Sequence, residues 1–97
     1  MKLYLDDIRN PPTKDYVVAR SSDEAIAICK SQGMPDFMSL DHDLGGDDTT
    51  MVFLHRLVQE VWNGTDNPPQ YQIHSANPVG SKNIESFMNS WVKSMTI

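Results

Sequence analysis

Aspartate and histidine side chains are concentrated in three short stretches of this 97-residue chain. The stretches are Asp6-Asp7, Asp41-His42-Asp43 and His74-Ser75-Ala76-Asn77. Carboxylate oxygens are the ligands that hard divalent cations such as Mg²⁺ and Mn²⁺ prefer, and imidazole transfers protons near neutral pH. The residue types therefore indicate a metal site with acid–base groups beside it.

Each of these stretches directly follows a short, mainly apolar run that is typical of a buried strand. The runs are residues 2–5, 37–40 and about 70–74, and a fourth such run covers 16–19. In an open parallel α/β sheet, ligands bind just outside the carboxyl ends of the strands. We therefore expect one concave site, lined by Asp6, Asp7, Asp41, His42, His74 and Ser75.

Three helical patterns separate the strands. Ser21 and Glu24 form a capping box that opens a helix over about 22–32, and a second helix begins near Asp47, Asp48 or Thr49 and ends before Gly64. Asn77 caps the last helix, with Pro78 at its first position. The order β, loop, β, α, β, α, β, α predicts a single α/β domain, residues 1–97, with right-handed crossovers.

The predicted architecture is a small three-layer fold around a mostly parallel four-stranded sheet of order 2-1-3-4. Only about ten residues, including Pro11 and Pro12, join the first two strands. A parallel crossover normally needs a dozen or more residues and a helix. This connection is therefore either a bare loop, or the first two strands pair in another way.

Composition limits the classes of partner and location. Net charge is −5, from 13 acids and 8 scattered bases, so the domain lacks the basic stripe that binding to duplex DNA requires. No apolar run approaches the ~20 residues of a membrane span, and no targeting segment is apparent. Cys29 is the only cysteine and is expected to be a buried thiol in a cytoplasmic protein. Composition leaves the oligomeric state open.

Three motifs carry a resemblance to a known family: residues 5–12 (LDDIRNPP), 40–45 (LDHDLG) and 74–80 (HSANPVG). Together they resemble the cyclic-phosphate processing receiver-like family of bacteria and phages, a degenerate form of the flavodoxin-like receiver domain of response regulators. The resemblance places Asp6, Asp7 and Asp41 at the receiver's metal-binding and phosphoacceptor positions, and implies a bacterial or phage-infected host cell. The fold is truncated relative to a signalling receiver, because it lacks the first helix and the fifth strand with its lysine.

We therefore expect a metal-dependent phosphoesterase-like domain that acts on a cyclic phosphate, either in a small nucleotide or at an RNA end. Asp6, Asp7 and Asp41 are the predicted ligands of Mg²⁺ or Mn²⁺, and Asp41 also belongs to the predicted catalytic group with His42 and His74. The two histidines are assigned either to proton transfer or to metal ligation, without a choice between them. Arg9, Ser75 and Asn77 are predicted to bind the phosphate.

Each prediction has a structural alternative. The aspartates also serve as turn formers and caps, Asn77 as the N-cap before Pro78, and Arg9 as a solvated loop residue. An EF-hand is excluded, because the twelfth residue counted from Asp41 is Val52 where that loop requires glutamate. The alternative function is a non-catalytic receiver-like module that binds a phosphate or a nucleotide, or that signals.

Overall fold

The computed structural model describes residues 1–95. The elements are β1 Lys2–Leu5, β2 Tyr16–Ala19, α1 Ser22–Gln32, β3 Phe37–Leu40, α2 Thr50–Arg56 with a following π-helical turn Leu57–Val61, β4 Gln70–Ile73 and α3 Pro78–Ser94. The predicted order of elements is confirmed. The second helical segment ends in the π-helical turn at Val61, three residues before Gly64. No helix among these residues has the length and apolarity needed to cross a membrane.

The four strands form one parallel sheet in the order β2-β1-β3-β4. This confirms the predicted α/β class and strand order. β1 pairs in parallel with β2 although residues 6–15, which join them, contain no helix. The first connection is thus a bare loop, one of the two alternatives. All four strands end at the same edge of the sheet, where the three polar stretches begin.

One face of the sheet carries the hydrophobic core. Successive side chains of a strand point to opposite faces, and Leu3, Leu5, Met38 and Leu40 all point to the face that packs against the helices. The buried helical residues of the same cluster are Ala25, Ile26, Cys29, Phe53, Leu54, Leu57, Ile84, Met88 and Trp91. Burial raises the pKa of the Cys29 thiol to about 11, as expected for a structural cysteine.

All three helices lie on this one face because of the handedness of the connections. The crossovers from β2 to β3 and from β3 to β4 run in the same direction across the sheet, so right-handed crossovers place α1 and α2 on the same side. α3 joins them through edge-to-face ring contacts, Trp62 with Trp91 and His55 with Phe87. The connection from β1 to β2 runs the other way and belongs to the opposite face.

The expectation of three layers is therefore corrected. Within residues 1–95 one layer of helices covers one layer of sheet, and the loop of residues 6–15 is all that accompanies the opposite face. Arg9 of this loop contacts Asp6, and Asp15 pairs with Lys2 at 2.8 Å. The sequence shows that the first connection has no helix, and this same lack removes the third layer.

We call the second face of the sheet the open face. It consists of Lys2, Tyr4, Tyr16, Val18, Phe37, Ser39, Gln70 and Gln72. Tyr4 and Ser39 are buried, Tyr16 and Phe37 are half-buried, and both glutamines are exposed. By strand alternation, the next side chains beyond this face at the carboxyl edge are Asp6, Arg20, Asp41 and His74.

Two apolar helical residues lie outside the fully buried core. Ile26 is buried in α1 whereas Ile28 is half-exposed, and Val92 of α3 is 49 % exposed. The buried face of α1 is formed by Ala25, Ile26 and Cys29, and Ile28 packs at its margin.

Candidate metal and phosphate site

Asp6, Asp7 and Asp41 meet at the carboxyl edge of β1 and β3. Each offers one carboxylate oxygen, and these three oxygens lie within 4.8 Å of one another. Asp6 is fully buried, Asp41 is 7 % exposed and Asp7 is partly exposed. The expected convergence is confirmed at the level of geometry. Like charges at this distance repel unless a cation or a proton compensates them, so these three residues, the acid triad, could hold a cation.

Asp6 is the most constrained member of the acid triad. Its Oδ1 accepts hydrogen bonds from the backbone N–H groups of Ile8 at 3.0 Å and Arg9 at 2.9 Å. Its Oδ2 lies 3.0 Å from Nε2 of His74. Burial raises the pKa of Asp6, but these three hydrogen bonds outweigh it and bring the net pKa below the usual 3.8. Asp6 is consequently a carboxylate at neutral pH.

His74 is held by both ring nitrogens. The side-chain amide of Gln72 donates to Ser39 Oγ at 3.1 Å, and Ser39 Oγ lies 2.9 Å from Nδ1 of His74. Every group in this series of hydrogen bonds has a partner when the Ser39 hydroxyl donates to Nδ1 of His74 and Nε2–H of His74 donates to Asp6. The ring also stacks on Tyr4, with centroids 4.7 Å apart and planes 5° apart. His74 is thus fixed in one orientation.

Hydrogen bonds between its first and last residues hold the turn that follows β3. Asp41 Oδ1 accepts the backbone N–H of His42 at 2.8 Å, and the Asp41 carbonyl accepts the hydroxyl of the buried Thr50. Thr50 in turn donates its backbone N–H to the His42 carbonyl at 2.9 Å. Gly45 has a φ of 89°, and a Cβ there would lie 3.4 Å from Asp7 Oδ2. The turn therefore needs glycine for its left-handed backbone, while a Cβ at this position would only touch Asp7.

His42 connects this turn to the start of α3. Its Nδ1 lies 3.1 Å from Asp43 Oδ1, and Asp43 Oδ2 accepts from the Asn77 amide at 3.2 Å. The hydrogen bonds from Asn77 and from His42 hold the pKa of Asp43 below its usual value. A Cβ on Gly80 would lie 2.3 Å from Cγ of His42. Gly80 is therefore the residue that leaves room for the imidazole against α3.

A cavity of about 470 Å³ opens beside the acid triad. It is lined by Asp7, Arg9, Asp41, Asp43, Gly45, Ser75, Ala76 and Asn77. Of the six residues expected to line the concave site, Asp6, His42 and His74 do not belong to this lining, although all three contact residues of the site. All three residues predicted to bind phosphate do belong to it. The cavity is thus lined both by carboxylates and by hydrogen-bond donors.

The three side chains predicted to bind phosphate differ in how many of their polar atoms already have a hydrogen-bond partner. Arg9 is half-exposed, with its guanidinium 3.5 Å from Asp6 and 3.3 Å from the His74 carbonyl. Ser75 Oγ accepts the backbone N–H of Asn77 at 3.0 Å, which leaves its hydroxyl proton available. Asn77 Oδ1 accepts from Gly80 N at 2.9 Å, so Asn77 is the N-cap of α3. The structural interpretation of Asn77 is therefore confirmed.

Sequence patterns gave no indication of Arg20, which shapes the site from β2. Its guanidinium donates to the carbonyls of Asp6 and Arg9 and, at 2.7 Å, to the side chain of Asn10. Three acceptors of the first loop are thus tied to one side chain. Arg20 follows β2 just as Asp6 follows β1, so both side chains point to the same side of the sheet. This shared position is the one feature of the sequence that relates Arg20 to the site.

Ser39 and Thr50 were also missed, because each lies inside a pattern assigned to an ordinary strand or helix. Both are buried and both donate or accept at a site residue. A polar residue in a four-residue buried strand is the signal that was available for Ser39. His55, in contrast, is exposed and lies against Phe87, away from the site.

A family model for the Cyclic-phosphate processing Receiver domain matches residues 1–90. No match was found among curated proteins or among solved structures. Because the match covers nearly the whole chain, the chain belongs to the cyclic-phosphate processing receiver family. The family resemblance of the three sequence motifs is thereby confirmed. The individual roles of the site residues stay predictions.

Proposed function

We propose that this receiver domain is a metal-dependent phosphoesterase that hydrolyses a cyclic phosphate, carried by a nucleotide or by an RNA end. One observation carries the proposal. Two members of the acid triad, Asp7 and Asp41, line the same cavity as Arg9 and Ser75. A cation site and an anion site that share one cavity suit a metal-bound phosphate better than either ligand alone.

The donor set fits a hard divalent cation. Asp6, Asp7 and Asp41 offer three carboxylate oxygens and no sulfur or imidazole ligand, which favours Mg²⁺ or Mn²⁺ over softer metals. When bound, such a cation supplies Lewis-acid activation of the phosphoryl group and of the attacking water. Asp6 is kept charged and oriented by its hydrogen bonds, so the protein side of the site is preorganised.

Substrate positioning falls to the donors of the cavity. Arg9 supplies the positive charge, and its guanidinium can pair with two phosphoryl oxygens. Ser75 adds a free hydroxyl proton, and Asn77 adds the amide hydrogen that is not used by Asp43. A cavity of about 470 Å³ lies within the range of sites for small ligands.

Hydrolysis adds water to phosphorus and breaks one P–O ester bond, so the leaving oxygen must receive a proton. We assign this proton transfer to His42, whose Nδ1 is oriented by Asp43. The His42 side chain is 12 % exposed, so it is partly open to solvent. His74 is assigned to positioning Asp6, because both of its nitrogens are engaged.

A binding module without turnover is the second candidate. It is favoured by the observation that neither histidine lines the cavity. In that case the same residues would hold a cyclic nucleotide or a phosphoryl group without cleaving it. The two candidates share the metal and phosphate ligands and differ only in proton transfer.

Turnover of a defined panel separates them. Purified protein with Mg²⁺ or Mn²⁺ should hydrolyse at least one of 2′,3′-cyclic nucleotides, 3′,5′-cyclic nucleotides or cyclic-ended RNA. Asp41→Asn should abolish hydrolysis, and His42→Asn should slow it about 10²- to 10⁴-fold, a typical loss for a general acid. His55→Asn is the matched control, because His55 lies outside the site. Binding without hydrolysis across the panel would assign the protein to the second candidate.

A further inference from the structure

We propose that the open face of the sheet binds the unpaired bases of single-stranded RNA, next to the cyclic-phosphate site. The proposal deepens the proposed function and rests on it only for the position of the RNA end. It concerns surface residues that the catalytic chemistry does not use. Tyr16 and Phe37 are the central side chains.

The chemistry of the open face suits bases. Tyr16 and Phe37 are half-exposed, with ring centroids 6.4 Å apart, and they flank Lys2 in the same row of the sheet. Gln70 and Gln72 add exposed amide groups in the neighbouring strand. Aromatic rings on a sheet stack bases of single strands, and amides supply hydrogen bonds to base edges.

The open face is continuous with the candidate site. Along β3 the outward side chains are Phe37, Ser39 and then Asp41 of the acid triad. At about 3.3 Å per residue, Phe37 lies about 13 Å from Asp41. A mononucleotide in the cavity is too short to reach Phe37, whereas an RNA of several nucleotides spans both. The arrangement therefore points to an oligonucleotide rather than a free nucleotide as the better ligand.

The segment that contains β1, β2 and their connecting loop is less acidic than the rest of the chain. Residues 1–20, which form β1, β2 and the loop beside the open face, hold four of the eight bases but only three of the thirteen acids. Lys2 lies 4.4 Å above the Tyr16 ring and pairs with the exposed Asp15. Exposed pairs of this kind contribute little, so the ammonium group of Lys2 is available to a phosphate.

The area argues against a protein partner. Four strands spaced about 4.8 Å apart and four residues long give a face of about 19 by 13 Å, or about 250 Å². A stable protein interface buries about 800 Å² on each partner. A short run of stacked bases needs far less area, so a second copy of this chain is the less suitable occupant.

The test compares labelled RNA hexamers that end either in a 2′,3′-cyclic phosphate or in a 3′-hydroxyl group, with a 2′,3′-cyclic mononucleotide as the short ligand. Binding is followed by fluorescence anisotropy for the hexamers and by calorimetry for the mononucleotide, at fixed salt. Phe37→Leu and Tyr16→Leu keep an apolar side chain but remove the ring. Each should weaken both hexamers about 5- to 100-fold, the range for loss of a stacking partner. Mononucleotide binding should stay unchanged.

Phe87→Leu is the control, because Phe87 is a half-buried ring on the helical side. Gln70→Glu is a second test that leaves the core intact, and it should weaken hexamer binding through charge repulsion. Unchanged hexamer affinity in Phe37→Leu, Tyr16→Leu and Gln70→Glu would overturn the inference even if turnover is normal. Self-association that these variants abolish would also overturn it. Hexamer binding that depends on the rings but not on the cyclic end would keep the open face as an RNA site and remove RNA ends from the proposed substrates.

Discussion

Replacing Asp7 by asparagine should make the protein more stable without divalent metal and less stable than the wild type when metal is added. Asp7 is the partly exposed member of the acid triad, and its carboxylate makes no hydrogen bond within residues 1–95. Without metal, its charge repels those of Asp6 and Asp41. With metal, the same charge becomes a ligand. Asp7→Asn should therefore stabilise the metal-free protein and lose most of the stabilisation by metal.

The magnitude follows from the distance between the oxygens. Two unit charges 4.8 Å apart repel by about 1 to 3 kcal/mol for effective dielectric constants between those of water and a protein surface. Because Asp7 is partly exposed and Arg9 lies nearby, we expect the lower limit, about 1 kcal/mol or about 4–8 °C in Tm. Metal at a hundred times its Kd should stabilise the wild type by about 2.7 kcal/mol.

The assay is urea and thermal unfolding of wild type, Asp7→Asn and Asp47→Asn, each with a chelator and with Mg²⁺ or Mn²⁺. Asp47 is the matched control, since it is an exposed aspartate of the turn between β3 and α2 and lies outside the acid triad. Asp7→Asn should be the more stable protein with chelator and the less stable one with metal. An equal response to metal in all three proteins would refute the cation site. A less stable metal-free Asp7→Asn would refute the repulsion argument.

Two further outcomes are expected. His74→Ala should weaken metal affinity about 10- to 100-fold, because residues that hydrogen-bond a metal ligand orient it and His74 holds Asp6 Oδ2. Calorimetry measures this affinity. Unchanged affinity with lost turnover would instead give His74 a role in proton transfer. Hydrogen bonds from Arg56 and then Lys30 lower the pKa of Glu60 from 4.5 to about 2, so its stabilisation is complete above pH 4.5 and is lost as pH falls toward 2. Urea midpoints of Glu60→Gln should thus lie below wild type at pH 6 and converge with it near pH 2, and a constant gap would contradict the assignment.

The strands and their order were predictable because each strand is a short apolar run that ends in polar residues. The layering was not predicted, although the information was present. Crossover handedness depends on the direction of each step across the sheet. Only the connection from β1 to β2 lies on the side of the open face, and Pro11 and Pro12 prevent a helix in this connection. Counting helices without assigning each one to a face gave three layers instead of two.

Within the site, the acid triad was predictable because parallel strands bring their carboxyl ends together. The orientation of His74 was not, since it depends on Ser39 and Tyr4 of other strands. Those contacts follow from the register, which pairs Tyr4 with Ser39 and Ser39 with Gln72. A single sequence does not specify the register of neighbouring strands to one residue. The sequence therefore identified His74 as a site residue but did not show that both of its ring nitrogens are engaged.

The turn between β3 and α2 is joined to a helix that takes no part in the site. Asp48 Oδ2 accepts the backbone N–H of Ser22 at 2.8 Å, at the first residue of α1. The first amides of a helix have no partner inside it, so the hydrogen exchange of this buried amide depends on the turn remaining closed. Exchange at Ser22 is governed by the free energy of local opening rather than that of global unfolding. The Ser22 amide can therefore report, in an isotope-exchange spectrum, how firmly the turn between β3 and α2 is ordered.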